Sequence, residues 1–354
     1  MTHGQPAMQV GVKLPTSGPL ARPDVIERVV REVEALGFDS VWVNDHVHRT
    51  PEDARHHFVA GTIEAWREPV VPNVYEALTT LSFAAGLTSR VTLGTSILVL
   101  PLRNPVWLAK ALATLDQLSR GRLIVGVGQG GPNYVNDELG AVGASYPASS
   151  IPEVTEESIG ILRAVWREPI VDHEGPAFRV RGASVFPKPL RETIPIWHGG
   201  QTRAARVRAG QLCDGWLPMF LLPSELRAGM ADVRGHAQRV GRAPDALRCG
   251  SEHWLAIDQR GSRAHTKAKA TLSAMAEATA AGWPDPGVRL RANLARIDEA
   301  NLLGDPSEIR ERLDAYHEAG VDHLVLRVIA SDEDDFLRSL RLFRAAAWPA
   351  ASRS

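Results

Sequence analysis

Cysteine is scarce in this chain of 354 residues: there are two, Cys213 and Cys249, far apart and without a metal-site spacing. That argues against a disulfide framework and fits a reducing cytoplasm. No apolar run reaches the roughly 18 residues that a membrane span needs, so no membrane partner is expected. The opening "MTHGQPAMQV" lacks the basic start and apolar stretch of a targeting segment and reads as a loose lead-in. An excess of one charge is missing too. The net charge is −1 with both signs mixed along the chain, and without a basic stripe nucleic acid is not an expected partner. Internal repeats and low-complexity linkers are also absent, so a single domain over 1–354 is expected.

What the chain has is alternation. "MQVGVKL" precedes "DVIERVVREVEALGF", where Val25, Val29, Val33 and Leu36 recur at helical spacing before Gly37 stops the helix. "DSVWV", "RVTLGTSILVL", "RLIVGVG", "IPIWH", "CDGWLP", "LRCGSEHWLAI" and "VDHLVLRVI" read as further strands, with helical sequence between or after them. About eight strand–helix units imply parallel strands with helices outside, the arithmetic of an α/β (β/α)8 TIM barrel. Three segments exceed what the barrel needs: about 45–72, 130–150 and 262–300. The first two follow strands directly, which places them over the C-terminal mouth, where barrel active sites lie.

Glycines mark two strand ends. "IVGVGQGG" spaces Gly126, Gly128 and Gly131 as G-x-G-x-x-G. A dinucleotide fingerprint belongs in the first βαβ unit and opens a long helix. Here it follows the fourth strand and runs into "PNYVNDELGAVG", so close backbone approach to another ligand, or simply a tight loop, fits better. "IPIWHGGQTRAARVRAG" sets Gly199 and Gly200 after a strand and Thr202 at a helix start, where free amides and the helix dipole suit an anionic group; Arg203 could add a charge. Two such ends on one rim suggest a phosphate-bearing cofactor.

"VNDHVHRT" supplies Asp45, His46 and His48. An H-x-H after a barrel strand also opens the site of metal-dependent amidohydrolases, with His198 and His253 as tempting further ligands. Those enzymes, however, carry H-x-H on the first strand and an Asp closing the last, whereas here "HLVLRVI" meets Ala330 and Ser331 before any acid. No metal is therefore expected. His48, His56 and His57 read as solvated loop residues. His46 ends an apolar strand aimed at the mouth, where an imidazole can exchange a proton near neutral pH or simply hold a rim hydrogen bond.

Four collinear blocks, "ALGFDSVWVNDH", "TSRVTLGTSILVLPLRNPVWLAKALATLDQLSRGRLIVGVGQG", "PIWHGGQTRAARVRAGQLCDGWLP" and "GDPSEIRERLDAYHEAGVDHLVL", resemble the luciferase-like monooxygenase and F420-dependent oxidoreductase superfamily from about residue 8 to 330. The resemblance implies a single bacterial luciferase-like (β/α)8 barrel binding the deazaflavin F420 or reduced FMN at its mouth. It assigns Asp45 and His46 to the ring, with His46 as proton donor or acceptor. It puts a non-prolyl cis peptide between Ser96 and Ile97 behind the ring, Gln129 and Gly130 beside the cofactor's polar chain, and Gly199 and Gly200 near its ribityl-phosphate. Asp116, Gly121 and Arg122 are scaffold in the family, and packing is the default role for Trp42, Trp107 and Trp197.

Three features lean to F420: "NDH" resembles that branch's S-D-H, "GTSIL" its third strand, and Gln129 stands where bacterial luciferase has an arginine. F420 implies hydride transfer to or from a small organic molecule; FMN implies a monooxygenase using dioxygen. The branch's glucose-6-phosphate dehydrogenases have a glutamate where this chain has Gly131, which puts a sugar phosphate in doubt. The Arg-Gly pair of many relatives is also missing, "SSIPEV" standing in its place. Trp66 and Tyr134 are candidates for lining the substrate pocket. A homodimer is the family expectation, as is a separate reductase that reduces the cofactor. A flavin-binding paralogue without turnover is the non-enzymatic alternative.

Overall fold

Eight parallel strands close into a barrel in the computed structural model, which describes residues 7–47, 73–131, 135–282 and 296–348. In chain order they are β1 (Gln9–Lys13), β2 (Ser40–Val43), β3 (Thr92–Val99), β4 (Leu123–Gly128), β5 (Ile196–Gly199), β6 (Gly215–Leu217), β7 (Arg248–Ile257) and β8 (His323–Val328). Each pairs with the next, and β8 returns to β1 with Gln9 opposite His323. The (β/α)8 expectation holds. His48, His56, His57, Trp66 and Tyr134 lie outside the described residues.

Period-2 alternation explains how these strands build two layers. On β8, Leu324 and Leu326 face outward into the large core shared with the helices, whereas Val325 joins Trp42, Trp197 and Leu217 inside the barrel. Two indoles fill that interior because other strands present glycines beside them. A Cβ at Gly94 would sit 2.3 Å from Trp42, and one at Gly250 would sit 2.9 Å from Trp197. Outside, the helix Pro23–Ala35 buries Val25, Ile26, Val29, Val30 and Val33 on one stripe. It ends two residues before Gly37, whose φ of +74° carries the chain into β2.

Three features depart from the sequence reading. An antiparallel hairpin, Val171–Glu174 with Arg179–Ala183, stands outside the barrel; its residues are largely polar and half exposed, so they carry no strand pattern. A short strand, Leu302–Gly304, pairs with the far end of β7. Trp107 is 72% exposed, so packing is not its role. Asp116 and Arg122 are scaffold: Asp116 accepts from the Leu190 amide, and Arg122 donates to carbonyls of Ala85, Thr88, Val91 and Ser119. Among the described residues no helix is long and apolar enough to cross a membrane.

Burial holds three histidines neutral. His198 and His253 are pushed down to about 4 and His323 to about 3, from an ordinary 6.5. Their folded values lie below the unfolded one, so the unfolded chain binds the extra protons and stability falls as pH drops below 6.5. Close to three protons near pH 5.5 correspond to roughly 3–4 kcal/mol per pH unit. Denaturant unfolding at pH 7, 6 and 5 is expected to show that loss; equal stability at pH 7 and 5 would refute it.

Candidate functional site

The mouth is built from the C-terminal ends of β1 to β5. Asp45 and His46 follow β2 and turn in different directions. Asp45 is buried and faces β3: its Oδ2 accepts from the Val99 amide at 2.9 Å, and Arg103 grips both carboxylate oxygens, Nη2 reaching Oδ1 at 2.7 Å. Burial pushes the Asp45 carboxyl up, and Arg103 and the Val99 amide act against that rise. Burial also works against the Arg103 cation, but Asp45 and Glu76 outweigh it and hold the guanidinium above its ordinary value. Asp45 thus fastens β2 to the end of β3.

His46 turns to the helix Val135–Ala141. Its Nδ1 lies 2.9 Å from Glu138 Oε1, which also accepts from the Val47 amide at 3.0 Å. A carboxylate accepts only, so Nδ1 carries the hydrogen. Glu138 is 2% exposed. The sequence reading passed over it because seven helical residues are too few for an amphipathic stripe.

On β3 the Ser96–Ile97 peptide is cis, where the resemblance puts it, and the pairing with β4 shifts register between Thr95 and Leu98. Lys13 Nζ donates to Ser96 O at 2.8 Å. Ile97 then lies across two glycines: a Cβ on Gly128 or on Gly199 would come within 2.8 Å of its side chain. Only glycine leaves room for that wall.

A cleft of about 480 Å³ opens beside Ile97, between residues 128–131 and 198–202. It gathers Ile97, Gln129, Gly130, Gly199 and Gly200; Asp45 and His46 lie on the neighbouring rim and do not line it. Thr202 caps the helix Arg203–Leu212, accepting from the Ala205 amide, so the helix N-terminus faces the cleft. Arg203 is exposed, whereas Arg208 lines the cleft, donating to Glu156 at 2.7 Å and to Gln129 Oε1 at 3.4 Å. Helical period was the clue: Thr202, Ala205 and Arg208 share one face, and Arg203 does not. An arginine therefore reaches this rim from another element, and Gln129 does not by itself separate F420 from FMN.

His198 completes the lining. Its Nδ1 donates to Gly199 O, and its buried Nε2 has no hydrogen-bond partner among the described residues. As a neutral ring it offers an acceptor to a hydroxyl. His253 points away, held between Ser251 and Ala300 O and packed on Tyr316, so it does not meet His46 or His198. Among the described residues no three His, Cys, Asp or Glu side chains gather as a metal ion would require. The cleft fits a ligand with a flat ring and a polar, anionic chain: an apolar wall at Ile97, an acceptor at His198, and amides, a helix N-terminus and a cation beyond.

The family model described as luciferase-like monooxygenase matches residues 5–323. An F420-dependent glucose-6-phosphate dehydrogenase of Kineococcus radiotolerans is 30% identical over 349 residues, 95% of each chain. Among solved structures, the chain resembles an F420-dependent secondary alcohol dehydrogenase in complex with an F420–acetone adduct (TM-score 0.77, 21% identity, 97% of this chain and 99% of that one). It also resembles the oxygenating constituent of the 3,6-diketocamphane monooxygenase from Pseudomonas putida in complex with FMN (TM-score 0.72, 16% identity, 97% and 99% covered). Both structural likenesses are of fold.

Replacing Arg103 by Met leaves the buried Asp45 carboxylate without its cation, which is expected to lower stability by roughly 3–5 kcal/mol. Urea unfolding of Arg103→Met checks this, and a loss under about 1 kcal/mol would show that the clamp does not hold the rim.

Proposed function

The chain belongs to the luciferase-like monooxygenase family, and from that premise we propose that it is an F420-dependent oxidoreductase acting on a small organic substrate. The observation that carries this reading is the cleft, where the glycine rims leave room for Ile97 to wall one end and Arg208 with the helix N-terminus serves the other. The full-length likeness to an F420-dependent dehydrogenase supports the choice of cofactor. When bound, a deazaflavin supplies a ring carbon that exchanges a hydride.

Ile97, Gly128 and Gly199 would hold the ring side of the cofactor, His198 Nε2 a chain hydroxyl, and Gly200, Thr202 and Arg208 the anionic tail. His46 manages the proton that accompanies hydride movement. Glu138 fixes its tautomer by keeping the hydrogen on Nδ1, so Nε2 is the atom that takes or returns a proton. Asp45 keeps the β3 rim in register with β2, which positions Ile97. Arg208 gives the second reading its one supporting observation: a guanidinium in the cleft also suits the terminal phosphate of FMN, the cofactor of a dioxygen-using monooxygenase.

The reading extends to a homodimer. Trp107 and Leu118 of the helix Pro105–Leu118 are 72% and 68% exposed, and Phe186 and Leu190 alongside are 57% and 52% exposed. Lys110 ties this helix to the segment by donating to Phe186 O. Such an apolar face is suited to burial against a second copy.

Purification from a host that makes both cofactors, followed by mass spectrometry of the released ligand, is expected to yield F420; recovery of FMN alone would support the monooxygenase reading instead. For any substrate that turns over, His46→Ala is expected to cut the rate roughly 100-fold or more while cofactor affinity stays within several-fold, and an unchanged rate would remove His46 from the chemistry. Light scattering is expected to give a dimer that Trp107→Glu dissociates; a monomeric wild type would refute the interface.

A further inference from the structure

The top inward layer of the barrel is charged, and nothing in the cofactor reading uses it. Lys13 of β1, Glu252 of β7 and Arg327 of β8 meet there: Lys13 Nζ lies 2.9 and 3.2 Å from the two Glu252 oxygens, and Arg327 Nη1 donates to Oε1 at 2.7 Å. Among the described residues one carboxylate thus faces two cations, which leaves one positive charge in excess in a buried layer. Such an excess is costly unless an anion joins it.

Arg327 is the member with donors to offer. Nη1 serves Glu252 and lies 4.0 Å from Met219 Sδ, a residue that lines the cofactor cleft. Nη2 makes no hydrogen bond to the described residues, and Nε is a buried donor without an acceptor among them. Nε and Nη2 form the side-on edge of a guanidinium, the edge that takes a carboxylate with two parallel bonds. Beside it the guanidinium lies 4.4 Å over the Trp254 ring, which stacks on Phe220 at 6.0 Å and 6°. Trp254 is itself buried, at 5% exposed, so the apolar surface left to a ligand is that of the half-buried Phe220.

We propose that Arg327 is the docking group for a carboxylate on the substrate, with Phe220 flanking an apolar or aromatic body. The assignment rests on the oxidoreductase reading for the word substrate, and on the charged layer alone for the binding site. A monoanion cancels the single excess charge, whereas a phosphate dianion would overshoot it. The site adjoins the cleft through Met219 on one side and through Lys13, which holds Ser96 O, on the other, so a carboxylate held there sets its body beside the cofactor.

Calorimetric titration of the full chain with benzoate, benzamide and inorganic phosphate tests this, with F420 titrated in parallel. Benzoate is expected to bind at least tenfold more tightly than benzamide. Arg327→Met is expected to weaken benzoate roughly ten- to hundredfold while F420 affinity stays within about threefold. Lys13 still pairs Glu252 in that variant, so the fold is retained. Should it nevertheless fail to fold, Phe220→Ala decides: weaker benzoate with unchanged acetate binding supports the site, and no change in either overturns it. Benzoate binding that matches benzamide, ignores Arg327→Met or yields to phosphate overturns the proposal. If F420 does not bind while benzoate still depends on Arg327, the cofactor reading fails and the carboxylate site stands.

Discussion

The buried pairing of Lys13 with Glu252 is the constraint on which the mouth depends. It joins β1 to β7 over the intervening β8, and the same ammonium reaches Ser96 O on β3. Burial pushes Lys13 down to about 8, against the pull of Glu252, so the amine stays charged at neutral pH. Burial also works against the Glu252 anion, but Lys13 and Arg327 outweigh it and hold the carboxyl below its ordinary value. Glu252 is the carboxylate both cations share, so its loss leaves the buried Lys13 ammonium uncompensated. Below this layer the barrel is closed by Trp42 and Trp197; above it lies the cleft.

That layering divides the labour of the site. The β4 and β5 rims give up side chains so that Ile97 and a ligand can share the space. The β2 rim carries Asp45, committed to structure by Arg103 and the Val99 amide, and His46, to which the proposed function gives the proton. The inward residues of β7 and β8 add the charged layer, where the proposed carboxylate would dock. Helices supply groups that reach these rims: Glu138 orients His46, and Thr202 and Arg208 line the cleft where the proposed function puts the anionic tail.

Much of this was legible in the sequence. Apolar periodicity gave the strands, glycine pairs marked two rims, and the collinear blocks located His46 and the Ser96–Ile97 peptide. What escaped did so for physical reasons. Lys13, Glu252 and Arg327 are charged residues in strands, and alternation alone does not say that their face points into a barrel rather than into water. Arg208 was passed over for Arg203, which is nearer in sequence but on the wrong helical face. Glu138 sits in a helix of seven residues, below the length at which a periodic stripe can be read. Asp45 shares its dipeptide with His46, yet its direction is set by Arg103, a partner 58 residues away.

The most direct test of the account is an equilibrium fluorescence titration of cofactor-free protein with oxidised F420 and, separately, with FMN. F420 is expected to bind tightly and FMN weakly, in keeping with a hydride-transferring enzyme. Tight FMN binding with little affinity for F420 would contradict it and make the protein a dioxygen-using monooxygenase of the same fold.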